Sequence, residues 1–345
     1  MSRAERASAG AGGSGPPAAA GPPSPSAGTG LSSPPADTGL TIPSAGTGLS
    51  SQSAGASAEP GVAESKRSSW SLGLRIASGV LFVPLLVLLA RAGGIAFWSF
   101  VALEVTLGLI EFYRMMRGKG LQPYPALGLL AGYGVLWVAY RPHTSQADFF
   151  ATGTLVLTMA LGLRRPELRG RVEGIAVTLF GVLYVGWLSA HLVLLRELPW
   201  RAGTAYRDGA AYVLLAFFLT WSCDTGAYAV GRLLGRTRPW ANISPRKSLE
   251  GAVGGLVAAI GAGFVAQAWF APFLRPIDAA LLGGLTGIFA QVGDLVESLL
   301  KRDARHGDSS DLIPGHGGIL DRFDSLLFAA PLVFYYLKIV VFRVP

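Results

Sequence analysis

The sequence predicts an all-α, polytopic integral membrane protein with about nine transmembrane helices and a disordered N-terminal tail. Hydrophobic residues make up 51% of the 345 residues and charged residues only 14%, roughly half the charged share of soluble domains. Apolar runs recur along the chain from residue 74 onward, whereas the first 65 residues contain no Phe, Trp or Tyr. Cys223 is the only cysteine, which excludes an intrachain disulfide scaffold and a cysteine-rich zinc site.

Residues 1–65 form the predicted tail. They are rich in Ser, Gly, Pro and Ala, and the octet SAGTGLSS occurs twice, at Ser26–Ser33 and at Ser44–Ser51. Because large apolar side chains are so few, this segment cannot bury enough surface to offset the entropy lost on ordering. We therefore divide the chain into a disordered tail over residues 1–65 and a transmembrane domain over residues 66–345.

The membrane topology follows from apolar length and loop charge. A bilayer core about 30 Å thick requires about 20 apolar residues in a helix. The candidate spans lie near residues 74–91, 94–113, 123–140, 148–163, 173–195, 209–231, 251–274, 277–299 and 325–342. With alternating spans, most of the 29 Lys and Arg residues lie on the side of the tail, as is typical of cytoplasmic loops. We expect a multi-pass protein of the cell inner (cytoplasmic) membrane, with the tail in the cytoplasm and the C terminus outside.

The positive net charge of +8 does not indicate a nucleic-acid partner. No basic block stands apart from the apolar runs, because the Lys and Arg residues lie between them. The charge is therefore interpreted as a determinant of topology, and membrane lipids are the expected surroundings.

Four carboxylates are predicted to meet at the cytoplasmic leaflet. Asp224 lies late in the sixth candidate span, Asp294 lies late in the eighth, and Asp321 and Asp324 directly precede the ninth. A carboxylate inside a span is costly and therefore indicates function. The predicted topology brings all three segments to the same side, which points to an active site at the cytoplasmic interface.

Two carboxylates in the second candidate span stand apart from this group. Glu104 and Glu111 belong to no motif. We interpret both as structural hydrogen-bonding groups.

The segments beside the four aspartates have the composition of a metal-bound polyphosphate site. Hard oxygen ligands suit Mg²⁺, which takes a few carboxylates and leaves positions for phosphate and water. Residues 301–324 supply cations and glycines, and the loop over residues 242–251 supplies cations and hydroxyls directly before a helix. Such groups bind phosphate. An ion or proton transporter using Asp224 and Asp294 as a relay is the alternative, although it would spread its carboxylates across the membrane depth.

Residues 298–324 resemble the signature of phosphatidate cytidylyltransferases, also called CDP-diacylglycerol synthases. The matching residues are Ser298, Lys301, Arg302, Asp308, Pro314, His316, Gly317, Gly318, Asp321, Arg322 and Asp324. The segments Asp224–Tyr228 and Ser244–Gly251 look like two further motifs of this family, and the resemblance extends from about Leu74 to the C terminus. Gly307 departs from the pattern, which usually has Lys there.

The resemblance implies that the transmembrane domain transfers the cytidylyl group of CTP to phosphatidate, giving CDP-diacylglycerol and pyrophosphate. It implies Mg²⁺ between Asp294 and Asp321, with a second cation close by. The other catalytic candidates are Lys301, Arg302, Arg322 and His316, and the substrate-binding candidates are Asp224, Ser244, Lys247, Ser248, Glu250, Ser298 and Asp324. A CTP-dependent kinase or cytidylyltransferase of a polyprenol-type lipid is the alternative enzyme, and a homodimer is left open.

Overall fold

The computed structural model describes residues 81–141, 147–164, 169–304 and 318–344. These residues are 83% helical and contain no strand. The predicted all-α class is therefore confirmed for this part of the chain. The predicted tail lies outside the described residues.

The described chain folds into a series of helices joined by short loops, and each helix coincides with one candidate span. The helices are α1 (Leu81–Ala92), α2 (Gly94–Gly118), α3 (Pro125–Tyr140), α4 (Ala147–Leu163), α5 (Arg171–Ala202), α6 (Gly209–Leu234), α7 (Leu249–Trp269), α8 (Pro276–Asp303) and α9 (Leu320–Val341). A π-helical segment, Val182–Trp187, interrupts α5, and a short 3₁₀ turn, Tyr206–Asp208, precedes α6.

Six of these helices, α2 and α5–α9, are long and apolar enough to cross a membrane. The described part of α1, together with α3 and α4, forms shorter apolar helices, so the predicted count of about nine spans is not confirmed. The 16 and 17 residues of α3 and α4 rise about 24–26 Å, which is less than the hydrocarbon thickness. The candidate spans at 123–140 and 148–163 are similarly short, so hydropathy predicted the lengths of these segments but not whether they cross the membrane.

The main apolar core lies where α2, α5, α6 and α9 pack together. Its fully buried members include Val105 and Leu109 of α2, Leu195 of α5, Leu215 of α6 and Val333 of α9. Buried apolar side chains hold these helices as one body. The polar ends of α6 and α9 are thereby held in fixed relation.

Small residues bring α6, α7, α8 and α9 close together beside the predicted site. A Cβ added to Gly251 of α7 would lie 3.1 Å from the Cα of Gly231 on α6. A Cβ added to Gly293 of α8 would lie 2.5 Å from the backbone oxygen of Asp324 and 3.0 Å from the Phe328 ring on α9. Side chains larger than hydrogen would separate these backbones. These contacts place the residues next to Gly293, including Asp294, against the start of α9.

Candidate active site

An open cavity of about 730 Å³ lies between α6, α8, α9 and the loop that precedes α7. Its volume falls within the range of ligand-binding pockets. Seven of the predicted site residues line it, and they are Asp224, Ser244, Lys247, Ser248, Asp294, Asp321 and Asp324. The predicted convergence of the four aspartates is therefore observed in the fold.

One face of α6 contributes a carboxylate, an aromatic ring and a cation. Asp224, Tyr228 and Arg232 are four residues apart, so they project from the same side of the helix, and all three line the cavity. The Arg232 Nη1 donates to the Tyr228 hydroxyl at 2.8 Å. The Ser325 hydroxyl of α9 donates to Asp224 Oδ1 at 3.3 Å, which connects this face to the neighbouring helix.

The loop before α7 is held by its own hydrogen bonds. The Glu250 carboxylate accepts the backbone N–H groups of Arg236 and Thr237 at 3.1 Å each. Ser248 is buried and caps α7, because its Oγ accepts the Gly251 N–H at 3.1 Å. These contacts hold Lys247, the residue before the cap, at the cavity. Glu250 contacts the loop backbone and does not itself line the cavity.

Two lysines compensate the two predicted metal ligands. Lys247 Nζ lies 2.8 Å from Asp294 Oδ1. Lys301 Nζ lies 2.8 Å from Asp321 Oδ1 and 2.6 Å from Glu297 Oε2. The side chain of Glu297 is only 1% exposed, so Lys301 lies between a buried carboxylate and one that faces the cavity. The Gly318 N–H donates to the second oxygen of Asp321 at 3.0 Å, so this N–H and Lys301 together orient that carboxylate.

Several predicted residues do not reach the cavity surface. Within the described chain, Lys301, Arg302, Arg322, Ser298 and Glu250 are absent from its lining. Lys301 still touches the site through Asp321.

Arg302 lies beside the site and contacts its loop. Its Nε donates to the backbone oxygen of Ile243 at 3.2 Å. His316 lies outside the described residues, as does all of the segment 305–317.

The donor set of the cavity fits a hard divalent cation. Within the described residues, no three His, Cys, Asp or Glu side chains form a preformed metal cluster. Mg²⁺, however, is commonly held by one or two carboxylates, with substrate phosphates and water completing its coordination. Asp224 and Asp324 form no ion pair within the described part of the chain. A cation in this cavity would therefore compensate charge that the lysines leave uncompensated.

The structure adds functional candidates to the predicted site residues. Tyr228, Arg232, Arg238, Trp240, Arg246 and Gln291 also line the cavity. Gln291 lies three residues before Asp294, a spacing that puts both on one helical face. Its Nε2 donates to the backbone oxygens of Ala252 and Gly287 at 3.1 and 2.8 Å. The same helical spacing, applied to Asp294, would have identified it.

Comparisons with known protein sequences identify the family of this chain. A sequence model of the Cytidylyltransferase family matches residues 73–340. The phosphatidate cytidylyltransferase of Synechocystis sp. is 37% identical over 289 residues, covering 77% of this chain and 97% of the relative. That of Bacillus subtilis is 32% identical over 274 residues, with coverage of 77% and 97%. That of Staphylococcus aureus is 31% identical over 264 residues, with coverage of 74% and 93%. Because the matched region spans most of the membrane domain and contains every aspartate of the cavity, this chain belongs to the cytidylyltransferase family.

Proposed function

We propose that this protein transfers the cytidylyl group of CTP to phosphatidate, forming CDP-diacylglycerol and pyrophosphate for phospholipid biosynthesis. The observation that carries the proposal is the cavity in which Asp224, Asp294, Asp321 and Asp324 meet Lys247. It combines oxygen ligands for a cation with a cationic donor for phosphate, and the curated relatives carry the name of this activity.

The reaction joins two anions, so charge compensation and positioning dominate catalysis. An oxygen of the lipid phosphate attacks the α-phosphorus of CTP, the new P–O bond forms, and the bond to pyrophosphate breaks. The nucleophile is already anionic and requires no covalent enzyme intermediate. In this proposal Lys247 clamps phosphate oxygens at the cavity wall. Arg322, which directly follows the cavity-lining Asp321, and Arg302, which lies beside the loop, do not line the cavity and would reach the phosphates only when substrate is bound. His316 is a further donor.

The remaining residues divide between the nucleotide and the cation. Ser244 and Ser248 line the cavity, and their hydroxyls would serve as phosphate donors. The ring faces of Tyr228 and Trp240 offer surfaces on which a cytosine ring can stack. Asp294 and Asp321 would hold Mg²⁺, whose charge would stabilise the phosphate oxygens of CTP and the leaving pyrophosphate.

Transfer of label from CTP tests the activity directly. Purified protein would be incubated with phosphatidate micelles, Mg²⁺ and CTP labelled at either the α- or the γ-phosphate. We expect α-label in the lipid product and γ-label in pyrophosphate. Appearance of γ-label in the lipid would indicate a kinase. Product formed only with a polyprenyl phosphate would show that the lipid substrate is a polyprenyl phosphate and not phosphatidate. Absence of transfer with all lipids would contradict the proposal.

The clamp role predicts a large kinetic effect at Lys247. Lys247→Ala removes the ammonium group beside Asp294, and we expect kcat/KM to fall about 100-fold, or roughly 2.7 kcal/mol. Arg322→Ala is expected to act similarly. Steady-state kinetics with CTP and phosphatidate measure the loss. Lys338→Ala, near the predicted outer end of α9, is the matched control and should remain within twofold of wild type. Near-normal kinetics in both test variants would contradict the clamp role and would indicate that these residues only contact lipid headgroups.

We further propose that the cavity faces the cytoplasm, where CTP is dissolved, in the cell inner membrane. Single cysteines introduced by Asn242→Cys and Arg207→Cys, after Cys223→Ala, report the two sides. Asn242 and Arg207 are exposed, and Cys223 is buried. An impermeant thiol reagent on intact cells should label only the cysteine at position 207, and permeabilised cells should show both. Labelling of position 242 alone on intact cells would contradict this topology and indicate the opposite orientation.

A further inference from the structure

Glu111 of α2 is the most deeply buried carboxylate near the start of α9. Glu111 is fully buried, with 0% relative exposure. One carboxylate oxygen accepts the Ile319 N–H and the other accepts the Leu320 N–H, both at 2.9 Å. These partners lie more than 200 residues away in the chain, and the contact ties α2 to the helix that carries Asp321 and Asp324.

This contact replaces a local helix cap. The first N–H groups of a helix lack intrahelical partners and are normally capped by a nearby Ser, Thr, Asp or Asn side chain. The N-cap residue of α9 is Ile319, which makes no side-chain cap hydrogen bond. The Glu111 carboxylate supplies the acceptors instead, and its negative charge also suits the positive end of the helix dipole.

A second contact, made by the residue that follows α2, reaches the end of α8. Lys119, eight residues after Glu111, forms an ion pair with Asp303 at the C-terminal end of α8. Both ends of the chain segment between α8 and α9 are thus attached to α2. Within the described residues, α2 contributes nothing to the cavity lining, so its role there is to hold other helices.

We infer that Glu111 is a positioning residue of cytidylyl transfer, which sets the placement of Asp321 and Asp324 relative to Asp294. The inference rests on the proposed function. Asp321 follows directly after the capped N–H groups, so a shift of the helix start moves its carboxylate. Displacement of a catalytic group by about 1 Å can cost about 100-fold in rate. The inference gives Glu111 a task beyond structural hydrogen bonding.

The variant Glu111→Gln tests this role. Glutamine keeps the size but has only one oxygen acceptor for two N–H donors, and it removes the charge. We expect kcat to fall about 100-fold while KM for CTP and phosphatidate stays within about twofold. Hydrogen exchange of the Ile319 and Leu320 amides, measured by mass spectrometry on the metal-free full chain, should become faster. Glu111→Asp keeps the charge and should recover part of kcat.

Glu104→Gln is the matched control. Glu104 lies on the same helix, is 3% exposed, and contacts the Ser189 hydroxyl at 3.2 Å rather than α9. We expect it to leave kcat near wild type and the exchange at Ile319 and Leu320 unchanged. A Glu111→Gln variant with the same kcat as this control would overturn the inference. A lower melting temperature with normal kcat per folded molecule would also overturn it, because it would show a purely structural role.

Two further comparisons distinguish a failure of folding or of the proposed function from a failure of the positioning role. If Glu111→Gln does not fold, the same exchange and kinetic measurements apply to Glu111→Asp, where normal kcat with fast exchange contradicts the inference. If the wild-type protein itself lacks cytidylyl transfer, the proposed function fails. An active wild type with an unaffected Glu111→Gln variant contradicts only the positioning role.

Discussion

Replacing Asp294 or Asp321 with Asn is expected to reduce cytidylyl transfer to background. Asparagine keeps the size of the side chain but removes the negative charge that would hold Mg²⁺. Each change also removes the partner of a lysine, since Lys247 lies 2.8 Å from Asp294 and Lys301 lies 2.8 Å from Asp321. Raising the Mg²⁺ concentration should restore little activity, because the position of the cation matters as well as its occupancy.

Thermal unfolding with and without Mg²⁺ gives a second readout. A ligand that binds only the folded state raises its stability, so wild type should gain thermal stability from Mg²⁺ and the Asn variants should gain much less. The matched control is Asp208→Asn, an aspartate directly before α6 that does not line the cavity and lies 4.0 Å from Arg207 Nε. It should retain activity and the Mg²⁺ effect. Substantial turnover by either test variant at ordinary Mg²⁺ would reject the metal assignment.

The positions of the helices could be predicted because apolar runs are a direct consequence of the lipid environment. Every candidate span coincides with a helix in the described chain. The lengths of α3 and α4 also agree with the candidate spans at 123–140 and 148–163. The count of spans could not be predicted equally well. Helices of 16 and 17 residues are shorter than the hydrocarbon core, and apolar composition does not decide whether they cross it.

The meeting of the aspartates could also be predicted, because an intramembrane carboxylate needs a compensating partner. Asp224, Asp294 and Asp324 come from three different helices, and all three line one cavity. The position of each aspartate within its candidate span and the predicted side of each loop were sufficient to predict that the three would meet. Loop charge therefore contributed to the location of the site as well as to topology.

The contacts that hold the site depend on long-range geometry and could not be predicted. Nothing in the sequence near Glu111 indicates that it caps a helix more than 200 residues later. Glu250 belongs to a motif, yet its carboxylate is engaged by the loop backbone of Arg236 and Thr237. A sequence motif shows which residues occur together in a family. It does not show which of them contact substrate and which of them support the loop. The observed contacts of Glu250 place it in the second group.

Removal of Lys301 is expected to impair both stability and activity. Lys301 is 17% exposed and lies between Glu297, which is 1% exposed, and Asp321, which is 16% exposed. In Lys301→Met the ammonium group is lost, and two neighbouring carboxylates remain without its charge. Breaking a buried ion pair by removing one partner typically costs about 3–5 kcal/mol. We expect a lower melting temperature in detergent and transfer activity below about 1% of wild type, a loss of about 2.7 kcal/mol or more in transition-state stabilisation.

A second substitution separates the two effects. Glu297→Gln in the Lys301→Met background removes the buried negative charge, so the melting temperature should rise towards that of wild type. Activity should stay low, because Asp321 still lacks the Nζ group 2.8 Å from its Oδ1, which helps to hold its carboxylate at the cavity. Melting temperature and kcat measured on the single and double variants decide between the two roles. Recovery of activity together with stability would show that Lys301 serves only to neutralise Glu297, and that the orientation of Asp321 does not depend on Lys301.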